Sequence, residues 1–276
     1  MRFGLFGVNF GPCADPALAI RVAVAAEEAG FESVWTGEHV AMPVRDNPVP
    51  TPAETPILDS LIALANVAAH TRRLRLGTGI LVLPHHNPVL LAKALTTLDL
   101  VSGGRLIAGF GGGYVEAEFR ALGVSFPDRG AITDEYLEAI RVLWTEELPH
   151  FQGRHAAFDG IRFEPKPRQR PHPPVVVGGH APPALRRAAR FGDGWYGFGL
   201  TVEAAAPMVQ ELRRLRATTG RPPLEISLTT FEPLTPALVA QATRVGVDRL
   251  IAMPRVRGEQ LEATVRALGA EFAQGG

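Results

Sequence analysis

Short runs of β-forming residues alternate with longer helical stretches along the whole chain, and this alternation restricts the possible folds more than any other feature. The strand candidates are short and mostly apolar: Arg2–Val8, Ser33–Thr36, Leu74–Thr78, Leu106–Phe110, Val175–Gly178, Gly194–Phe198, Glu225–Thr230 and Arg249–Met253. The helix candidates have the spacing of an amphipathic face: Pro16–Ala29, Ile57–Thr71, Pro88–Val101, Ala131–Trp144, Pro183–Phe191, Val202–Thr219, Pro236–Val245 and Gly258–Ala270. This order is typical of an α/β protein with a parallel sheet.

The number of repeating units separates two parallel architectures. Eight β-then-α units are what a closed barrel needs, whereas an open doubly wound sheet usually has fewer. The length of 276 residues is typical of one eight-fold barrel, and 46% hydrophobic residues suffice for a large core. The sequence therefore predicts a single (β/α)8 TIM-type barrel domain over residues 1–276.

Helix ends and long loops refine this prediction. Asp15-Pro16 and Asn87-Pro88 place an N-cap residue before a proline, and Gly30 suits the left-handed end of the first helix. Two segments interrupt the alternation: a proline-rich loop, Ala41–Thr55, and an irregular insertion at about 146–174. Long loops in compact domains are often functional. We expect both segments to line a pocket, and Glu146–Pro174 to act as a lid.

Charge and composition exclude several classes of protein. The 28 basic and 28 acidic residues cancel, which argues against nucleic-acid binding through a basic surface. Residues 1–138 carry a balance of −5 and residues 139–276 one of +5. Either compositional drift or an anionic ligand of the second half explains this asymmetry. Cys13 is the only cysteine, so neither an intrachain disulfide nor a cysteine metal cluster is possible.

Targeting and catalytic motifs narrow the field further. The chain lacks a signal-peptide core and any apolar run of about 18–20 residues, so we expect a soluble cytoplasmic protein without membrane or nucleic-acid partners. It has no G-x-S-x-G elbow, no Walker A loop and no zinc-protease helix. We therefore expect no metal, and we interpret His85 and His86 as loop residues rather than ligands.

Candidate chemistry lies at the carboxyl ends of the predicted strands, where barrel enzymes carry their active sites. Glu38 and His39 follow the second strand, and an imidazole beside a carboxylate can exchange protons near neutral pH. The pair is equally consistent with a loop that caps the next segment. The glycine cluster Gly109–Gly113 favours a strand end left bare so that a flat ring can lie against backbone.

A second candidate site follows the fifth strand. Gly178-Gly179 precedes a predicted helix, and amides at a helix N-terminus can bind a phosphate. A glycine pair before a helix is common, so the signal alone is weak. The nearby Arg186 and Arg187 strengthen it.

These motifs together resemble the luciferase-like monooxygenase superfamily, and specifically its deazaflavin (coenzyme F420)-dependent oxidoreductases. The similarity covers about residues 2–200 in order, and beyond residue 200 only the barrel rhythm supports it. The matching blocks are Ala26–His39, Arg75–Pro84, Asn87-Pro88, Leu98–Leu106, Glu164–Pro167, Val177–Gly179 and Arg187–Trp195.

The resemblance implies roles for individual residues. The Gly79–Ile80 bond is similar to the family's non-prolyl cis peptide, in a bulge that presses against the central ring of the cofactor. Gly112 and Gly113 would flank the ring or its side chain. His39 resembles the histidine that lies near the ring and manages a proton, with Glu38 as its neighbour. The phosphate would bind at a loop made of Gly178, Gly179, His180 and Ala181.

The implied activity is hydride transfer between coenzyme F420 and an unidentified small organic substrate, in a homodimer. Two alternatives remain open. One is an FMN-dependent luciferase-like monooxygenase that uses reduced flavin from a partner reductase and O2. The other is a non-catalytic flavin-binding barrel. The sequence identifies neither the substrate nor the direction of transfer.

Overall fold

The computed structural model describes residues 1–273 and contains a closed ring of eight parallel strands. Each barrel strand pairs with its sequence neighbour, and the last pairs with the first through Arg2↔Arg249 to Leu5↔Ala252. The strands are β1 (Arg2–Phe6), β2 (Ser33–Thr36), β3 (Arg75–Thr78), β4 (Leu106–Gly111), β5 (Val175–Gly178), β6 (Gly194–Phe198), β7 (Glu225–Thr229) and β8 (Arg249–Ala252). The predicted TIM-type barrel is confirmed.

Helices surround the ring. They are α1 (Pro16–Glu28), α2 (Ser60–His70), α3 (Pro88–Val101), α4 (Glu116–Leu122), α5 (Arg129–Thr145), α6 (Pro182–Phe191), α7 (Val202–Ala217), α8 (Pro236–Val245) and α9 (Gly258–Leu268). Within residues 1–273, none of them combines the length and apolar character needed to cross a bilayer.

Local signals fix most of the helix ends. The side chains of Asp15 and Asn87 accept from the amides of the next turn, at 2.9 Å from Ala17 and 3.0 Å from Val89, as predicted. Gly30 has a φ of +90°, which the end of α1 requires. The start of α2 was predicted three residues too early, because Asp59 and not an earlier residue caps it. Helix α4 was not predicted.

Two apolar layers hold the barrel together. The outer layer lies between the strands and the helices. The inner layer fills the ring with six buried side chains: Phe6, Trp35, Ile107, Val176, Tyr196 and Ile251. The ring of Trp35 takes the space in which a side chain at Gly77 would lie. The interior is thus a packed core, and in a barrel of this kind we expect the active site above it, at the carboxyl ends of the strands.

The opposite, N-terminal end of the barrel is closed by a buried arginine. Arg249 is 0% exposed and donates to both carboxylate oxygens of Glu32, each at 2.8 Å. It also donates to Ser227 at 2.9 Å and pairs with Glu225. Burial would raise the pKa of Glu32, but the hydrogen bonds and charge of Arg249 hold it below its ordinary value. Arg249 and Glu32 are therefore both ionised and balance each other. We call this end of the barrel, with Arg249, Glu32, Glu225 and Ser227, the floor.

The second half of the insertion between α5 and β5 does not cover the strand ends. It contains a small hairpin, Phe151–Gln152 with Ala157–Phe158, whose turn amides are bound by Glu135 of α5. Gln169 then bonds to Asp99 at the end of α3 and to the carbonyl of Leu106, the first residue of β4. These contacts place the second half of the segment at the N-terminal end of the barrel, away from the strand ends that were expected to be covered.

Candidate functional site

A bulge between β3 and β4 shapes the carboxyl-end rim of the barrel. Gly77 pairs with Ile107, and the short strand Leu81–Val82 then resumes the pairing at Phe110. Residues 78–80 therefore lie opposite two residues of β4. The peptide bond between Gly79 and Ile80 is cis, as the resemblance implies.

The bulge is held by a side chain instead of the usual backbone ladder. Thr78 Oγ1 accepts from the amide of Gly109 at 2.7 Å and donates to its carbonyl at 2.9 Å. A Cβ at Gly109 would overlap the carbonyl oxygen of Thr78. The glycine is therefore needed for the close approach of the two chains.

The glycine cluster was interpreted as a bare surface for a ring, and for most of its members this is wrong. A Cβ at Gly111 would lie 2.6 Å from Ile80, and one at Gly113 would lie 2.6 Å from Val82. These glycines make room for the bulge and its neighbours. Gly112 differs, because its nearest neighbour would be Thr133 Oγ1 at 3.5 Å. It is the cluster member that leaves space at the rim.

Ile80 is the last residue of the bulge and lies at the mouth of the barrel. Its side chain packs on the inner core and lies between Gly111 and Gly178, where a Cβ would come within 2.6 and 2.9 Å of it. A methyl-bearing residue at either position would displace it. The bulge, β4 and β5 thus form one continuous surface beside the phosphate-loop candidate.

The second strand brings His39 to the same rim, but with a different partner from the one expected. His39 Nδ1 lies 3.1 Å from Glu118 Oε2, and the other oxygen of Glu118 accepts from the amides of Val40 at 2.8 Å and Ala41 at 3.3 Å. Burial would raise the pKa of Glu118, but these hydrogen bonds hold it below its ordinary value. An ionised carboxylate therefore faces His39.

Glu38 points the other way. Its carboxylate accepts from the amide of Val82 at 2.6 Å and bonds to His86 Nε2 at 2.9 Å. Burial would lower the pKa of His86, but the hydrogen bond and charge of Glu38 raise it. The expectation that Glu38 tunes His39 is wrong, since Glu38 instead ties the second strand to the segment that follows the bulge. His86 was expected to be a loop residue. It bonds to Glu38, and we call the contacts of Glu38 with Val82 and His86 the clamp.

His85 lies between the two pairs and has no hydrogen bond. Both ring nitrogens are buried without a partner in the described part of the chain. The ring meets Phe119 edge-on, with centroids 4.5 Å apart. Burial lowers the pKa of His85, although the carboxylates of Glu118 and Glu38 act in the opposite sense. A neutral imidazole that is buried without a hydrogen bond is uncommon in proteins.

The phosphate-loop candidate follows β5. Gly179 has a φ of +116°, and a Cβ there would lie 2.8 Å from Ala184. Helix α6 begins with Pro182 and Pro183, which have no N–H, and the amide of Ala184 bonds back to Ala181. The expectation that amides of this helix bind an anion is therefore wrong for its first turn.

The amides just before the helix can take that role. Those of Gly179, His180 and Ala181 have no hydrogen-bond partner within residues 1–273. Successive free amides around a residue with positive φ form an anion-binding concavity. His180 Nε2 accepts from the amide of Phe198 at 3.3 Å, which leaves its proton on Nδ1, and burial lowers the pKa of this imidazole. The predicted residues are thus together, as a loop rather than a helix end.

The two arginines expected near this loop do not add to it. Arg187 is bound to α5, with Nε 2.5 Å from Asp134 and Nη2 3.0 Å from the carbonyl of Gly130. Arg186 is exposed on the outer surface of α6. An anion at this loop would therefore meet amides and an imidazole, and neither of these two guanidinium groups.

The rest of the rim is aromatic, a feature that sequence analysis missed. Phe198 at the end of β6 contacts Phe6 of β1 at 4.9 Å and Phe231 at 5.6 Å between ring centroids. Phe231 is 37% exposed. Aromatic residues at the ends of three predicted strands were the available signal. They provide an apolar wall opposite the bulge.

Among residues 1–273, no group of three or more His, Cys, Asp or Glu side chains is arranged to hold a metal ion.

The rim combines four features: a backbone bulge, a histidine–carboxylate pair, a loop of free amides and an apolar wall. This set suits a flat, anionic organic cofactor beside a small substrate.

Comparison with known proteins identifies the class. The model of the luciferase-like monooxygenase family matches residues 1–272, and the chain belongs to this family. It is 33% identical over 285 positions to an uncharacterized protein of Mycobacterium tuberculosis, covering 99% of both chains.

Two relatives have named activities. The chain is 31% identical over 205 residues to an F420-dependent glucose-6-phosphate dehydrogenase of Amycolatopsis mediterranei, covering 71% of this chain and 59% of the relative. It is 33% identical over 155 residues to an FMNH2-dependent dimethylsulfone monooxygenase of Pseudomonas putida, covering 55% and 42%. The family thus includes oxidoreductases that use either cofactor.

Solved structures agree in fold. Monooxygenase RslO1 from Streptomyces bottropensis superposes with a TM-score of 0.84 at 24% identity, covering 99% of this chain and 98% of the other. An F420-dependent secondary alcohol dehydrogenase superposes with a TM-score of 0.81 at 15% identity, covering 98% of each. At these identities the similarity establishes the barrel alone.

Proposed function

We propose that this chain is an oxidoreductase that transfers a hydride between coenzyme F420 and a small organic substrate. The observation that carries the proposal is the pairing of His39 with an ionised Glu118 at the same rim as the bulge. Interconversion of an alcohol and a carbonyl moves one proton along with each hydride, and His39 is the proton-exchanging group at this rim. The F420-dependent relative also aligns over more of the chain than the FMN-dependent one.

The residues present fit such a cofactor. The free amides of Gly179, His180 and Ala181 suit a phosphate, and the half-buried bulge at Gly79–Ile80 offers a backbone surface for a planar ring. Gly112 leaves space beside that surface, whereas Gly113 makes room for Val82 and Phe119. These are the residues we assign to cofactor binding, together with Gly178.

The protein's own contribution is to bind, orient and exchange a proton. When bound, F420 supplies a two-electron centre that accepts or donates hydride. The loop of Gly179, His180 and Ala181 would hold the phosphate of the cofactor, and the bulge at Gly79–Ile80 would support its ring. His39 takes or gives the substrate proton, while Glu38 keeps the segment after the bulge in place through Val82. The aromatic wall of Phe6, Phe198 and Phe231 excludes water.

A second candidate is an FMN-dependent monooxygenase, and one similarity favours it. The aligned portion of the FMNH2-dependent relative is 33% identical, against 31% for the F420-dependent relative. In that case the chain would take reduced flavin from a partner reductase and O2 from solution. The same bulge and phosphate loop would serve.

Cofactor titration separates these candidates. The purified protein is titrated with F420 and with FMN, each oxidised and reduced, while cofactor or tryptophan fluorescence is followed. We expect saturable binding of F420 and weaker binding of FMN. Tight FMN binding without F420 binding would refute the first candidate and support the second.

A pair of glycine variants tests the assigned loop. Gly179→Ala introduces a Cβ at positive φ within 2.8 Å of Ala184, so we expect at least a tenfold loss of cofactor affinity. Gly160→Ala is the matched control, because Gly160 also has a positive φ, of +62°, but lies in the insertion with no neighbour within 4 Å. Equal losses in both variants would show that strain, and not the loop, is responsible.

His39→Ala distinguishes an enzyme from a non-catalytic flavin-binding barrel. We expect about a 10²–10⁴-fold loss of turnover with little change in cofactor affinity, since a positioned proton-transfer group contributes that much. If saturating cofactor and a broad panel of alcohols and carbonyls give no turnover in the wild type, the binding-protein alternative is favoured.

We further propose that the chain forms a homodimer through α2 and α3. These adjacent helices present exposed apolar residues, with Ile62 and Leu90 each 73% exposed, and α2 has no Asp, Glu, Lys or Arg. Light scattering on wild type and on the double variant Ile62→Glu, Leu90→Glu tests this. Leu148→Glu, on the insertion and 65% exposed, is the control. A monomeric wild type contradicts the proposal.

A further inference from the structure

The side chain that pairs with His39 comes from α4, the helix between β4 and α5. Glu118 is 2% exposed and His39 is 15% exposed, so the carboxylate lies beneath the imidazole as seen from solvent. Helix α4 ends at Gly123, which has a φ of +70°. A short helix with a defined end fixes the position of Glu118 more closely than a loop would.

Three N–H groups converge on this one carboxylate. Oε1 accepts from the amides of Val40 and Ala41, and Oε2 faces His39 Nδ1. An ionised carboxylate can only accept hydrogen bonds. The proton of the neutral imidazole therefore lies on Nδ1, and Nε2 makes no hydrogen bond within residues 1–273.

No other group competes for His39 Nδ1. Tyr114 faces the ring edge-on at 6.2 Å between centroids, and burial and the charge of Glu118 raise its pKa, so it is a neutral phenol. His85 lies nearby and is neutral, because burial lowers its pKa. Glu38 is engaged by Val82 and His86. Among these groups only Glu118 bonds to the imidazole.

We propose that Glu118 is the positioning residue of His39. It holds the Nδ1–H tautomer, orients the ring, and leaves Nε2 as the atom that exchanges a proton with the substrate. By binding the amides of Val40 and Ala41 it also fixes the start of the loop over residues 41–55, which we expect to line the pocket. One side chain thus sets both the orientation of His39 and the start of this loop. When Nε2 takes a proton, the imidazolium is balanced by the Glu118 charge, and Glu118 itself stays ionised. The effect of Glu118 on catalysis rests on the proposed function. Its effect on the tautomer of His39 does not.

The tautomer is measured on the protein without cofactor. Long-range ¹H–¹⁵N correlation spectra of ¹⁵N-histidine-labelled protein distinguish protonated from bare ring nitrogens, and His39→Asn identifies the signals among the eight histidines. We expect Nδ1 protonated and Nε2 bare in the wild type. In Glu118→Gln the amide can donate to Nδ1, so we expect the proton to move to Nε2. Glu118→Asp keeps the carboxylate and should retain the wild-type tautomer in part.

Activity and binding complete the test. In Glu118→Gln we expect kcat with F420 to fall by about 10²-fold or more, with cofactor affinity within about threefold of wild type. Glu118→Asp should recover part of kcat. The control is Glu116→Gln, on the same helix but 58% exposed and paired only with Arg120, and it should change neither tautomer nor rate.

The outcomes separate this inference from the proposed function. An Nε2-protonated wild type, or an unchanged tautomer in Glu118→Gln, overturns the positioning role whatever the activity. If the tautomer behaves as expected but no F420-dependent turnover exists, the positioning role stands and the proposed function fails. Should Glu118→Gln fail to fold, the wild-type and Glu118→Asp tautomers still decide the question.

Discussion

The two ends of the barrel differ in whether their buried polar groups have hydrogen-bond partners. At the N-terminal floor, Arg249 is fully buried and its guanidinium is bound by Glu32, Glu225 and Ser227. At the carboxyl-end rim, both nitrogens of His85 are buried without a partner in the part of the chain that the structure describes, and the successive amides around Gly179 have no partner there either. Hydrogen-bonded buried groups stabilise a fold, whereas buried groups without a partner cost stability unless a ligand or water binds them. We therefore expect the floor to contribute more to stability than the rim.

The largest expected effect is at the floor. Arg249→Ala leaves the carboxylates of Glu32 and Glu225 without their buried cation, and we expect the free energy of unfolding to fall by about 3–5 kcal/mol. Urea denaturation measures it. Arg266→Ala removes a guanidinium that is 47% exposed and paired with Glu28 and Glu262, so the free energy of unfolding should fall much less. Similar losses in the two variants would contradict the assignment of stability to the floor.

The next effect is at the bulge. Gly109→Ala forces a Cβ into the carbonyl of Thr78, and overpacking of this kind costs about 1–3 kcal/mol. Gly112→Ala, three residues along, meets nothing closer than 3.5 Å and should leave the free energy of unfolding within about 0.5 kcal/mol. Thermal and urea unfolding compare them. If Gly112→Ala is the more destabilising variant, our account of the glycine cluster is wrong.

A pH-dependent effect is expected at the clamp. The pKa of His86 is raised in the folded state, so its contribution is complete below the unfolded value of about 6.5 and is lost as pH rises through the folded value. His86→Asn should therefore lower the free energy of unfolding by about 1–2 kcal/mol at pH 6 and by less at pH 9. His150→Asn removes an exposed imidazole paired with Asp159 and is the surface control for this substitution. A loss that is independent of pH contradicts the ion pair.

The smallest expected effect has the opposite sign. His85→Leu replaces a buried, unpartnered imidazole by an apolar side chain of similar size, and we expect the free energy of unfolding to rise by about 1 kcal/mol. Exposed His70 bonds to the carbonyl of Asn66, so His70→Leu should give no gain. A destabilised His85→Leu protein would mean that this imidazole is satisfied in solution, and the contrast between floor and rim would weaken.

The architecture could be predicted from sequence because its signals are local and repeated. Each strand is a short apolar run, and caps such as Asp15 and Asn87 act within one turn. The start of α2 was less accurate, because Ile57 is apolar like a helix residue but instead bridges to Phe10. Helix α4 was missed because it has only seven residues and follows a glycine cluster.

The parts of the site that depend on a single residue or a single peptide bond could be predicted from the sequence. The position of His39 and the cis bond at Gly79–Ile80 were both found, the latter through the family resemblance. Side-chain pairing was not predictable. Adjacent residues at a strand end point in opposite directions, so Glu38 and His39 separate, and their partners lie 48 and 79 positions along the chain. Such distances leave no trace in a single sequence.

The contact between Thr78 and Gly109 limits how the pocket can be redesigned. A side chain cannot be added at Gly109 while Thr78 keeps its place, and the spaces beside Gly111 and Gly113 are taken by Ile80 and Val82. An engineer who wishes to narrow the pocket from this side is left with Gly112. Any larger change must alter both strands at once, so a library that varies Thr78 and Gly109 together will sample this side of the pocket better than one that varies a single position at a time.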